Sequence, residues 1–228
     1  MTALLRDFAA YLARPRLVTP SGLGAPGAWR TLLALLGFHL AVLLGVLAPL
    51  LQLWQSAMGL PAPEAFGAVS KGWLVPMVVL IAPLAEECAF RSWLTGRPRT
   101  LWLMACGLVT GVFLAMVNFH VAEVPASFAV LAMGLVAPGG WWLLRRRGAP
   151  RWFGAAFPGL FVFSIVVFGL SHLSNYPRIS LALLPMILPQ IWAGIVLSYA
   201  RMRIGLAASM LIHGAANAAA ISLALLAH

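Results

Sequence analysis

Two adjacent glutamates, Glu86 and Glu87, lie in the middle of the apolar run LVPMVVLIAPLAEECAFRSWL. They are two of only five acidic residues in the chain, the others being Asp7, Glu64 and Glu123. A charge at the centre of a membrane-spanning helix costs about 2.5–3.5 kcal/mol on insertion scales, so a retained pair needs a partner or a neutralising proton and marks a functional site. Arg91 follows Glu87 by one helical turn, with the acid on the N-terminal side, the better orientation for an ion pair. Glu86 points about 100° away on the helix wheel, which leaves it free to act as a base or acid while Glu87 stays ionised beside its arginine. Two histidines interrupt other apolar runs: His172 ends FVFSIVVFGLSH, and His213 lies in IGLAASMLIHGAANAAAISLAL with Asn217 one turn later on the same face. None of these groups has reason to face lipid, so they are expected to converge in a bundle interior, where carboxylate and imidazole together can do acid–base chemistry. The plainer reading is that the Glu–Arg pair only locks helices together, and that each histidine is a packed, hydrogen-bonded residue.

The elements that must position these residues follow from composition. Of 228 residues, 62% are hydrophobic and 9% charged, and the mean hydropathy is +0.96. These values exclude an ordinary soluble domain, a disordered chain and, with only Cys88 and Cys106, a disulfide scaffold. The sequence predicts an all-α, polytopic transmembrane bundle of seven spans at about 31–53, 73–95, 101–119, 127–144, 154–173, 181–200 and 204–226. Residues 1–30 read as a cytoplasmic interfacial segment and linker, and 31–228 as the bundle. In the first segment, Leu4, Leu5, Phe8 and Leu12 at helical spacing predict an interfacial helix, and PSGLGAPG reads as a hinge or linker.

A net charge of +10 could indicate nucleic acid, but the basic residues lie at the ends of the apolar runs. One set of loops holds twelve arginines, among them Arg97, Arg99, Arg145, Arg146, Arg147, Arg201 and Arg203, against Lys71 and Arg178 in the other set. The positive-inside rule then puts the N-terminus in the cytoplasm and the C-terminus outside. Membrane lipid is the expected partner, and no nucleic acid is.

With the polar residues and spans in place, the chain resembles the CPBP or Abi family of intramembrane endopeptidases, which includes the CaaX prenyl protease type 2 enzymes. Its three motifs occur in order: Glu86-Glu87-Cys88-Ala89-Phe90-Arg91, Phe168-Gly169-Leu170-Ser171-His172 and His213-Gly214-Ala215-Ala216-Asn217. The first is the least expected by chance. The resemblance covers about residues 72–226, with two additional spans between the first and second motifs, and His120 in MVNFHVAE stands as the alternative to His172. It implies hydrolysis of peptide or membrane-protein substrates, with Glu86 as general base, His172 orienting the water, His213 and Asn217 on the oxyanion side, and Glu87 and Arg91 holding the helix in register. A zinc ion on Glu86, His172 and His213 is the alternative chemistry. Two other functions fit the same residues: a non-enzymatic membrane scaffold or immunity-type protein, and a proton-coupled transporter. The high Arg-to-Lys ratio suggests a bacterial inner membrane.

The remaining polar residues take structural readings. His39, in the first span, is expected to be hydrogen-bonded across helices, Asn175 to border the site through its closeness to His172, and His228 to be solvated. Counting from Arg97 and Arg203 at 1.5 Å per residue puts Glu86 and His213 at about the same depth, roughly 15 Å in, while the same count from Arg151 carries His172 towards the outer side.

Overall fold

The computed structural model describes residues 2–64 and 69–226, which form helices with no strand among them; His228 lies outside the described residues. A short helix, α1 (Thr2–Ala13), precedes seven long ones: α2 (Ala28–Ala57), α3 (Gly72–Thr95), α4 (Pro98–Asn118), α5 (Glu123–Leu144), α6 (Arg151–Asn175), α7 (Leu181–Arg203) and α8 (Leu206–Leu226). Helices α2–α8 are each long and apolar enough to cross a membrane, and the chain is an integral membrane protein of the all-α class. The seven predicted spans fall on these helices, with ends moved by a few residues. Many large apolar side chains point outward, Leu53, Leu131, Phe163 and Leu223 among them, as expected where the solvent is hydrocarbon.

Two compact units divide the chain, one of Met1–Arg91 with Phe157–His228 and one of Ser92–Ala156. In the larger unit α8 packs on α7, α2 and α3. Its buried positions are small or branched, as at Ala208, Ser209, Ile212 and Ala216, which lets the backbones approach closely.

Prolines shape the two helices that carry the most unusual backbone. A proline has no N–H for the carbonyl four residues back, and its ring strikes that carbonyl. Just before Pro83 and Pro49 the chain takes one wider π turn, over Met77–Ile81 in α3 and Leu43–Leu47 in α2. Carbonyls released in this way must find donors elsewhere. Helix α8 meets α3 at the first of these turns: a Cβ on Gly214 would stand 2.7 Å from the Val79 oxygen, so only glycine fits there.

Helix α1 forms as expected, but its apolar face packs on protein. Phe8 is buried, edge-on to Phe38 (5.8 Å between centroids) and Tyr199 (4.9 Å). Asp7 pairs with Arg203 and accepts a 2.5 Å hydrogen bond from the Tyr199 hydroxyl. Tyr11 is also buried and donates to the Arg16 carbonyl; burial pushes its phenol up to about 12. The PSGLGAPG stretch departs from its expected role as a hinge. Ser21 N–H donates to the Arg203 carbonyl at 3.0 Å and Gly22 N–H to that of Ile204 at 2.8 Å, so the open backbone groups at the α7–α8 turn hold it in place.

In the smaller unit α4 and α5 pair along their lengths. The Trp102 indole N–H donates to the Ala137 carbonyl at 3.2 Å, and the ring occupies the space a Cβ on Gly140 would need. The turn joining the two helices places His120 and Ala122 in the left-handed region, at φ 58° and 48°.

The Asp7 contacts predict a measurable role for α1. Asp7→Ala is expected to cost about 1 kcal/mol, since the pair is part-exposed, and to speed tryptic cleavage after Arg16 several-fold in detergent. An unchanged cleavage rate would mean that aromatic packing alone holds the helix.

Candidate active site

Downstream of its π turn, α3 returns to α-helical form over Ala82–Arg91, and that turn sets which way the two glutamates face. Glu87 and Arg91 have no exposed side-chain surface, and Arg91 Nη1 donates to Glu87 Oε1 at 2.9 Å. The guanidinium lies 3.8 Å from the centre of the Phe168 ring, a cation–π contact in a desolvated setting. The last carbonyls of this helical stretch have donors from other helices: Ser164 Oγ donates to Phe90 at 2.6 Å and Arg201 Nε to Arg91 at 3.0 Å. The helix is therefore fixed in register along its side and at its end.

Both histidines are oriented from behind. Nδ1 of His213 lies 3.0 Å from Glu87 Oε1, and Nδ1 of His172 lies 2.7 Å from the Phe168 carbonyl oxygen. An ionised carboxylate and a carbonyl can only accept, so each Nδ1 carries the hydrogen and a neutral ring presents the lone pair of Nε2. Those two atoms face Glu86: Oε2 is 3.9 Å from His172 Nε2 and 3.7 Å from His213 Nε2. Glu86 keeps 28% of its side chain exposed. It lines a cavity of about 430 Å³ together with His172, His213, Asn217 and Asn175. Asn217 Nδ2 donates to the Val78 carbonyl at 3.0 Å, one of the groups in the π turn.

Every residue of the three motifs that was expected to do chemistry is therefore at or directly behind this cavity. His120, the alternative to His172, lies 2.5 Å from Glu123 Oε1 with 81% of its side chain exposed; the nitrogen facing Glu86 belongs to His172. The depth expected for His172 is not what the geometry gives, because a residue count locates depth only for helices that start level and run parallel.

His39 also departs from expectation. It lines the cavity, and its buried Nδ1 has no hydrogen-bond partner among the described residues. Three further contributors had weak signals or none in the sequence. Pro83 could have pointed to the freed Val78–Val79 backbone. The Phe168–His172 spacing carried no sign that Phe168 also covers Arg91. Gln190 gave no signal.

Ligand atoms at about 2.0–2.2 Å from a tetrahedral ion are about 3.3–3.6 Å apart, and Glu86 Oε2 stands 3.7 and 3.9 Å from the two Nε2 atoms, so holding a zinc would require these side chains to close by a few tenths of an ångström. Among the described residues no group of three or more His, Cys, Asp and Glu side chains is arranged to hold a metal ion.

The fold and cavity thus define a seven-span helical membrane protein with a carboxylate–imidazole site. A protein-family model, described as type II CAAX prenyl endopeptidase Rce1-like, matches residues 140–219. That stretch contains the second and third motifs and is about a third of the chain. The match supports the CPBP/CaaX protease-like family and, in general terms, a CAAX-type intramembrane protease. No curated protein and no solved structure matched the chain.

The burial difference between the two glutamates predicts opposite responses to the same change. Glu87→Gln leaves Arg91 charged and buried without its counter-ion and is expected to destabilise the protein by about 3–5 kcal/mol. Glu86→Gln is expected to leave the thermal midpoint in detergent within a few degrees of wild type. Equal effects would contradict the division of roles between them.

Proposed function

We propose that the protein is an intramembrane endopeptidase that hydrolyses peptide bonds in peptide or membrane-protein substrates with water activated by Glu86 and its two histidines. The observation that carries this reading is the convergence of Glu86 Oε2 with the Nε2 atoms of His172 and His213 at 3.7–3.9 Å on the wall of one cavity. Two acceptors 3.9 Å apart suit a water that donates one hydrogen to Glu86 and the other to His172, about 2.8 Å from each.

The chemistry follows from those positions. Glu86 takes a proton as the water oxygen bonds to the scissile carbonyl carbon, and the carbonyl electron pair moves onto oxygen. His213, having taken a proton from solvent at Nε2 before the attack, presents Nε2–H to that oxyanion and keeps it when the adduct collapses; Glu87 behind the ring stabilises the imidazolium, as a carboxylate does in a hydrolase triad. The second hydrogen of the Asn217 amide, left over from the bond to Val78, is a further donor. Collapse of the adduct breaks the carbon–nitrogen bond, and Glu86 returns its proton to the leaving amine. Glu87 and Arg91 touch no reacting atom in this scheme; they position His213 and the helix. No step runs through a metal.

The same reading puts the protein in a bacterial inner membrane, N-terminus in the cytoplasm and C-terminus outside, in contact with lipid and without a nucleic-acid partner. The charge asymmetry of the loops supports that orientation.

Glu86→Gln in lipid vesicles is expected to cleave a peptide library 10²- to 10⁴-fold more slowly than wild type, with wild-type activity unchanged by a strong chelator. Loss on chelation with recovery on added zinc would replace the proposed chemistry by the metal-ion alternative. Absence of wild-type cleavage, with Glu86→Gln still complementing a deletion phenotype, would favour a non-enzymatic scaffold.

A further inference from the structure

Two polar groups on the cavity wall play no part in the chemistry above. His39, from α2, is 2% exposed and its Nδ1 has no hydrogen-bond partner among the described residues. Gln190, from α7, likewise has a buried Oε1 without a partner there. Both line the same cavity as Glu86, His172 and His213. A buried polar atom left without a partner costs about 1–3 kcal/mol, so two on one wall point to a ligand that satisfies them.

Their surroundings hold His39 in place. Its ring lies against Trp192 (6.3 Å between centroids, planes 28° apart), and the Trp192 indole N–H donates to the His39 backbone carbonyl at 3.3 Å. Trp192 in turn meets Phe38 and Phe8 edge-on, at 5.3 and 6.2 Å. His39 is thus set on a braced aromatic wall whose Trp192 lies two residues on from Gln190 in α7, and His39 and Gln190 both line the cavity. An imidazole N–H and a carboxamide oxygen are one donor and one acceptor. One edge of an extended peptide offers the complement, a carbonyl and an N–H.

We propose that His39 and Gln190 form a substrate subsite that grips the backbone N–H and C=O of one residue of the extended peptide beside the scissile bond, His39 Nδ1–H donating to its carbonyl and Gln190 Oε1 accepting its N–H. The proposal rests on the endopeptidase reading for its substrate class. It adds a recognition element drawn partly from α2, outside the residues matched by the family model. Backbone gripping of this kind is indifferent to the substrate's side chains, and it holds the carbonyl carbon within reach of Glu86 without entering the bond-making step.

The test uses the full-length protein in vesicles with His39→Phe, which keeps a ring against Trp192, and Gln190→Leu, which keeps the shape of the side chain. The probe is the best-cleaved library peptide and a series of analogues, each N-methylated at one backbone position. Each variant is expected to raise KM about tenfold with kcat within about threefold. The thermal midpoint should be unchanged or higher, since an unpaired buried polar group has been replaced by an apolar one. N-methylation at one position should cost wild type a similar factor and Gln190→Leu nothing further. KM within twofold of wild type in both variants, or an N-methyl penalty that persists in Gln190→Leu, would overturn the subsite.

Fluorescence anisotropy with the labelled peptide in a Glu86→Gln background separates this proposal from its parent. Binding weakened by His39→Phe and Gln190→Leu, even if wild type cleaves nothing, supports the subsite while the endopeptidase reading fails. Wild-type cleavage with unaltered binding in both variants overturns the subsite alone. No peptide binding by any form overturns both.

Discussion

Arg91 and Glu87 are both wholly shielded from solvent, in a helix that must also cross hydrocarbon. An ion pair in such a place gains little net stability, because the desolvation of two charges offsets most of their attraction. What it supplies is geometry. Glu87 Oε1 is shared between Arg91 and His213, so one carboxylate oxygen ties α3 to α8 and determines which nitrogen of His213 faces the cavity. Arg91 in turn lies against Phe168, whose backbone carbonyl orients His172. A shift of α3 by one residue would break all of these contacts together.

The adjacency of Glu86 and Glu87 gains its meaning from this arrangement. Neighbouring residues on a helix point about 100° apart, and here that angle separates a sealed carboxylate from one with 28% of its side chain still open. The buried glutamate keeps the scaffold in register, and the accessible one is left with two imidazole nitrogens across from it. Two identical side chains thus come to have different chemistry through position alone.

The seven helices and the convergence of Glu86, His172, His213 and Asn217 could be read from the sequence because polar groups in apolar runs have few places to go. His120 illustrates the limit. It has the same residue type and lies close to an apolar run, yet it faces Glu123 in an exposed turn; the local feature that separates it from His172 is the residue four places earlier, Met116 rather than Phe168. His39 was misread for the opposite reason: burial was anticipated, but which groups would be left without partners depends on helix rotation, which periodicity does not determine. The π turn before Pro83 is similar. Proline predicts that a carbonyl will be freed, whereas its capture by Asn217 and the close passage of Gly214 depend on how α8 is seated. The PSGLGAPG stretch looked like a linker because its composition is that of one; its partners, at Arg203 and Ile204, lie far along the chain.

That last contact has a consequence for how the molecule is made. Ser21 and its partner Arg203 are 182 residues apart in sequence, and Trp192, which backs His39, also emerges late. At synthesis rates of about 5–20 residues per second, the N-terminal segment waits on the order of ten seconds or more before its docking surface exists. The wall formed by Phe8, Phe38 and Trp192 can close only after nearly all the helices have been delivered to the membrane. Completion of the chain is therefore built into assembly of the cavity, and a nascent protein truncated before α7 lacks the parts needed to form it.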